Sequence, residues 1–109
     1  MTAWLHVLQR ASALVLAPLV LVHIAVVIYA SHGGLSAAEI LSRTRGSVVW
    51  ALFYGLFVLA VAVHAPIGLR EVLREATPWR GRRLDAAMAG LALGLLVLGA
   101  RAVAAVVAP

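Results

Sequence analysis

The chain has 109 residues, of which 64% are hydrophobic and only 12% are charged, and its formal net charge at pH 7 is +5. Soluble domains are about half apolar and about a quarter charged, and a soluble chain of this size could not bury so much apolar surface. The absence of cysteine excludes disulfides, thiol catalysis and iron–sulfur ligation by this chain.

Three apolar runs follow one another along the chain, at about residues 11–30, 47–69 and 84–107. A helix rises about 1.5 Å per residue and needs about 20 apolar residues to cross roughly 30 Å of bilayer hydrocarbon. Each of the three runs is long enough. The sequence therefore predicts an all-α membrane protein with three transmembrane helices, organised as a single domain over residues 1–109.

Polar residues cluster where the first span opens. They are His6, Gln9, Arg10 and Ser12, all within seven positions. A single arginine at such a place is often only a topology anchor. Four polar side chains are more than anchoring requires, so they indicate a polar pocket at the membrane edge. The guanidinium of Arg10 would donate hydrogen bonds there to an anionic or carbonyl group.

The two connections between spans differ in charge. The first contains Ser36-Ala37-Ala38-Glu39, a capping-box pattern that predicts a short interfacial helix. The second, from Arg70 to Arg83, carries five arginines and two glutamates. By the positive-inside rule, this second connection and the N-terminus face the cytoplasm. Because the arginines lie at span ends, they indicate membrane topology and not nucleic-acid binding.

His64 lies inside the second apolar run, where an ionisable side chain is a functional-site hypothesis by default. Gly68 follows one helical turn later on the same face, which would clear space for something flat and bulky. Arg70, at the end of the span, indicates that the bound group carries negative charge on its solvent-facing edge. Haem fits that description, with His64 as an axial ligand and the second ligand supplied by another subunit.

His23 lies in the first span, but at a different depth. Counted from residue 11 it is about 12 residues into the membrane, or roughly 18 Å, whereas His64 is roughly 8 Å from the cytoplasmic end of its span. This difference excludes ligation of one iron by both rings. His23 is therefore either a ligand of a second, deeper haem or a structural residue that bonds a neighbouring helix.

The third span contains Gly90 and Gly94. Small residues four positions apart permit close approach of two helices in a membrane. The sequence therefore predicts that the third span packs against a neighbouring helix along this face.

Two segments carry a family resemblance. Leu8-Gln9-Arg10-Ala11-Ser12-Ala13 resembles the His-Arg-x-Ser-Gly segment that opens the first span in the cytochrome b subunit of succinate dehydrogenase and fumarate reductase, with glutamine and alanine replacing histidine and glycine. His64-Ala65-Pro66-Ile67-Gly68-Leu69-Arg70 resembles the same family's His-x-x-x-Gly-Ile-Arg segment at the end of the second span. Length and span number also agree, so the resemblance covers nearly the whole chain.

The resemblance implies that His64 is an axial ligand of haem b, its iron being the bound metal, and that Arg10 lies beside the haem propionates and the quinone. His6, Gln9 and Ser12 would surround Arg10. His23 resembles the first-span ligand of the larger two-haem cytochromes of the same superfamily.

The same resemblance implies a membrane anchor of succinate:quinone oxidoreductase (respiratory complex II), which takes part in electron transport and the tricarboxylic acid cycle. Its partners would be a second membrane-anchor subunit, an iron–sulfur subunit and a flavoprotein subunit, and it would form part of a hetero-oligomeric helix bundle in the bacterial inner membrane. Electrons from succinate would reach ubiquinone or menaquinone near Arg10. Dehydrogenation belongs to the other subunits, because this chain has no flavin or dicarboxylate site.

Two haem-free alternatives remain. One is a small multidrug-type transporter, although such proteins place a carboxylate in the first span and here no acidic residue lies at a span centre. The other is a structural anchor of another respiratory complex, in which His64 only bonds a neighbouring helix.

Overall fold

A computed structural model describes residues 2–109 as four α-helices. They are α1 (Ala3–His32), α2 (Ala37–Thr44), α3 (Val48–Ala76) and α4 (Gly81–Val107). The three predicted apolar runs lie within α1, α3 and α4, apart from residue 47, and no strand occurs in the described part of the chain. The prediction of an all-α protein is therefore confirmed.

The three long helices have 30, 29 and 27 residues, and each is long and apolar enough to cross a membrane. At about 1.5 Å per residue they are roughly 40–45 Å long, which exceeds the roughly 30 Å of hydrocarbon. Their ends therefore project beyond the apolar layer. Few side chains are buried within the chain itself, and much of the apolar surface is left for lipid or other subunits.

Side chains cap the first three helices. Thr2 accepts a hydrogen bond from the Leu5 amide at the start of α1 (3.4 Å), and Ser47 accepts one from the Trp50 amide at the start of α3 (3.2 Å). At α2, Ser36 and Glu39 form both bonds of a capping box, as the sequence predicts.

The second connection is much shorter than the sequence indicates. The helix α3 continues to Ala76 and α4 begins at Gly81, so only residues 77–80 connect them. Most of the arginines assigned to this connection lie on the projecting ends of two helices. One of them, Arg70, donates a hydrogen bond to Asp85 across the two helices (2.8 Å) and holds α3 against α4.

The central helix of the molecule is α3, since both α1 and α4 pack against it. The close approach of α3 and α4 occurs at Gly99, where an added Cβ would lie 2.5 Å from Val58 Cγ1. An added Cβ at Gly90 or Gly94 would meet no atom within 4 Å. Within this chain, therefore, the third span does pack against a neighbour, but at Gly99 and not at the predicted pair of glycines.

The short helix α2 closes the end of the bundle at which α4 finishes. Thr44 Oγ1 donates to the carbonyl of Val106 (2.6 Å), and the Gly46 amide donates to the carbonyl of Val107 (2.7 Å). These bonds satisfy carbonyls that the last turn of a helix leaves without partners. The opposite end, where α1 begins and α3 finishes, holds the polar residues considered next.

Candidate functional site

His64 faces the first helix and contacts Ser12. The distance from Ser12 Oγ to His64 Nδ1 is 3.2 Å, and Ser12 is only 6% exposed. The hydroxyl of Ser12 also donates to the main-chain carbonyl of Gln9, at 3.0 Å. Within residues 2–109, Ser12 is the one hydrogen-bond partner of the His64 ring, so Nε2 is uncommitted.

A pocket of about 340 Å³ opens between α1 and α3 beside this contact. It is lined by Gln9, Arg10, Ala13, Leu14 and His64. The fold therefore brings together three of the residues singled out in the sequence, one imidazole from α3 and two polar side chains from α1. The lining thus combines an imidazole, a guanidinium and an amide with two apolar side chains.

Gly68 does not leave empty space, in contrast to the expectation from sequence. An added Cβ at this position would lie 3.0 Å from Nε2 of Gln9, so the glutamine side chain fills the room that the glycine provides. The Oε1 atom of Gln9 is buried and has no hydrogen-bond partner within the described residues. Because a buried acceptor without a partner costs about 1–3 kcal/mol, a donor brought in by a ligand or another subunit would be stabilised there.

Arg10 and Arg70 have opposite surroundings. Arg70 contacts Glu71 and Asp85, each at 2.8 Å, and is not available to the edge of a bound group. Arg10 is exposed, lines the pocket and forms no ion pair with any described residue. Among the described residues, the arginine that lines the pocket with His64 and has no ion pair is therefore Arg10 and not Arg70.

His6 lies one helical turn before Arg10 on the same face of α1 and is exposed. It does not line the pocket.

His23 lies at a different level of the bundle. Its ring makes edge contacts with Tyr54 and Phe57, at centroid distances of 6.1 and 5.6 Å, and its Nδ1 atom is buried without a partner among the described residues. Phe57 precedes His64 by seven residues, which corresponds to roughly 10 Å along α3. The two rings are thus separated along the bundle as the depth estimate from the sequence requires, and they do not face a common point.

The described residues contain no group of three His, Asp or Glu side chains that could hold a metal ion. A porphyrin supplies four ligands of its own, and haem iron needs only axial ligands from the protein. The lining of the pocket fits one half of such a site, since it includes one imidazole that could ligate iron and one guanidinium that could donate to propionates.

Residues 1–108 match the family model described as the succinate dehydrogenase/fumarate reductase transmembrane subunit. No curated protein and no solved structure matches the chain.

Proposed function

We propose, since the chain belongs to the succinate dehydrogenase/fumarate reductase transmembrane subunit family, that it is the cytochrome b membrane anchor of a succinate:quinone oxidoreductase. It would lie in the bacterial inner membrane with its N-terminus on the cytoplasmic side. There it would dock the iron–sulfur and flavoprotein subunits and pack beside a second membrane-anchor subunit.

The observation that carries this proposal is the pocket shared by His64 and Arg10. A neutral imidazole with an uncommitted nitrogen is an axial ligand for haem iron, and a guanidinium without a carboxylate partner is a donor for propionate or carbonyl oxygens. The two groups come from different helices and meet in one pocket. Haem b, when bound, supplies a one-electron redox centre.

The pocket is half of a site. It is formed by two helices and contains one histidine, so the second axial ligand and the opposite wall come from the second membrane-anchor subunit. Arg10 would donate to the haem propionates or to a quinone carbonyl, and Gln9 would add an amide to the same wall. His6, one helical turn before Arg10 on the same face of α1, would be a proton donor to the reduced quinone.

The two membrane histidines allow a matched test. In the purified complex, His64→Ala should abolish the reduced-minus-oxidised b-type absorption spectrum. His23→Ala should leave it unchanged, because the His23 ring packs against Tyr54 and Phe57 at another depth. An unchanged spectrum in His64→Ala would overturn the ligand assignment, and loss of a second haem signal in His23→Ala would make His23 a ligand too.

One observation favours a second candidate, a haem-free structural anchor. The bond to Ser12 gives the partly buried ring of His64 a partner within the chain, as a purely structural histidine requires. In that case the purified wild-type complex would show no b-type spectrum, and His64→Ala would only weaken assembly. A cation transporter has no such support, because Glu71 and Asp85 pair with Arg70 and Glu39 caps α2.

A further inference from the structure

The contact between Ser12 and His64 has a definite direction, because Ser12 has only one proton to give. Its hydroxyl lies 3.0 Å from the main-chain carbonyl oxygen of Gln9. A carbonyl oxygen can only accept a hydrogen bond, so both contacts of Ser12 are hydrogen bonds at once only when its hydroxyl proton points to Gln9. Since Ser12 is buried, no solvent competes for this bond.

Toward His64, Ser12 therefore presents an oxygen lone pair. The 3.2 Å contact is a hydrogen bond only if Nδ1 of His64 carries the proton and donates it to Ser12 Oγ. In a neutral imidazole, a proton on Nδ1 leaves the lone pair on Nε2. This is the nitrogen that has no partner within the described residues.

We propose that Ser12 is a positioning residue that fixes the Nδ1–H tautomer of His64 and thereby keeps Nε2 free to bind haem iron. This inference rests on the proposed function. A metal-bound histidine commonly donates its other N–H to such an acceptor, which fixes the ring orientation and makes the ligating nitrogen more basic. Ser12 would thus act through His64, since it does not itself line the pocket that His64 lines.

The test uses the assembled complex and measures how fast haem leaves it. Haem is transferred to an excess of a haem-scavenging apoprotein, and the low-spin ferric haem is recorded by electron paramagnetic resonance. Ser12→Ala should accelerate haem loss about tenfold or more and shift the resonance signal, because the acceptor for Nδ1–H is gone. Ser12→Thr keeps the hydroxyl and should restore both readouts.

Ser42 provides the matched control. Its hydroxyl also donates to a carbonyl three residues earlier, that of Glu39 (2.6 Å), but no histidine contacts it. Ser42→Ala should therefore leave haem loss and the resonance signal unchanged. If Ser12→Ala prevents assembly, Ser12→Cys preserves the volume and replaces the hydroxyl by a weak acceptor, and it should still accelerate haem loss.

The outcomes separate this inference from the proposed function. Haem loss and resonance signals equal to wild type in assembled Ser12→Ala or Ser12→Cys complexes would overturn the role of Ser12 while leaving His64 as the ligand. A wild-type complex without b-type haem, or a His64→Ala complex that retains it, would overturn both.

Discussion

At the scale of single residues, Arg10 and Arg70 carry the same charge but differ in their acidic neighbours, and this difference determines which arginine is available to a ligand. Arg70 is bound to Glu71 and Asp85, so its charge links α3 to α4. Arg10 has no acidic partner among the described residues and lines the pocket with His64. A hydrogen bond from the Arg10 guanidinium to a bound group that shields it from solvent would contribute about 1.5–3 kcal/mol.

Replacing Arg10 should therefore affect quinone reduction selectively. Arg10→Ala should lower the rate of succinate:quinone reduction about tenfold or more at subsaturating quinone, the fold change expected for loss of a charged hydrogen bond. Succinate oxidation with a soluble artificial acceptor should be nearly unchanged, since that reaction bypasses the membrane anchor. Arg101→Ala, an exposed arginine near the other end of the bundle, is the control. Equal loss of both activities in Arg10→Ala would make Arg10 structural.

Gly68 and Gln9 should behave as a coupled pair. An added methyl group at Gly68 would lie 3.0 Å from Gln9 Nε2 and push the glutamine toward the pocket, so Gly68→Ala should reduce the haem content of the complex. Shortening the side chain of Gln9 removes this steric conflict. The double variant Gln9→Ala with Gly68→Ala should therefore contain more haem than Gly68→Ala alone. Haem-to-protein ratios of the four combinations measure this coupling. Simple additivity of the two changes would contradict it.

The sequence predicts the site residues better than their contacts. Residue type and helical spacing are sufficient to select His64, Gln9 and Arg10, which the fold brings to one pocket. The bond between Ser12 and His64 is not predictable in this way, because span ends estimated from hydropathy are too coarse to align two side chains on different helices. The contact of Gln9 with Gly68 is also not predictable from the sequence, since it depends on the distance between α1 and α3.

At the scale of elements, hydropathy predicts which helices exist but not where they stop. The apolar run near residues 47–69 ends where charged residues begin, yet α3 continues to Ala76 because arginine and glutamate are good helix formers outside the membrane. The Ser36–Glu39 capping box, in contrast, fixes the start of α2 by its own hydrogen bonds, and there sequence and structure agree.

Glycine spacing alone also cannot tell which face of α4 meets α3. The pair Gly90 and Gly94 matches the pattern for close helix approach, but the contact within this chain uses Gly99, against Val58. The choice depends on the rotation of α4, which is set by packing along the whole helix pair and by the link between Arg70 and Asp85.

Bulky substitutions at glycines of α4 should show which face of this helix packs against α3. Gly99→Val should lower the thermal midpoint of the complex and its yield, because a Cβ there would lie 2.5 Å from Val58 Cγ1 and the two helices would have to separate. Gly94→Val adds the same group where this chain has open space, and it should leave the packing of α3 against α4 intact. Circular dichroism melts of the two purified variants provide the comparison. A Gly99→Val melt equal to wild type would contradict the close contact.

At the scale of the whole molecule, the two ends of the bundle differ in chemistry. The end closed by α2 is capped by backbone and hydroxyl bonds to the last carbonyls of α4. The other end holds His64, Arg10 and the ion pairs of Arg70, and its exposed cations suit the cytoplasmic side. This asymmetry would suit the proposed function, in which quinone and haem would lie near the face where the soluble subunits dock.

A site built from one chain's histidine and an open pocket explains why the molecule is incomplete alone. Only one imidazole faces the pocket, and much of the apolar surface of the three long helices is exposed. Under the proposed function, lipid and a second subunit would cover the apolar surface, and that subunit would supply the other ligand of the iron.

The most direct test of this account is the haem b content of the purified complex, measured per flavoprotein subunit for the wild type and for His64→Ala. We expect stoichiometric haem in the wild type and none in His64→Ala, with the flavoprotein still attached in both. Haem retained in full by His64→Ala, or absent from the wild type, would contradict the assignment of His64 as half of a haem site.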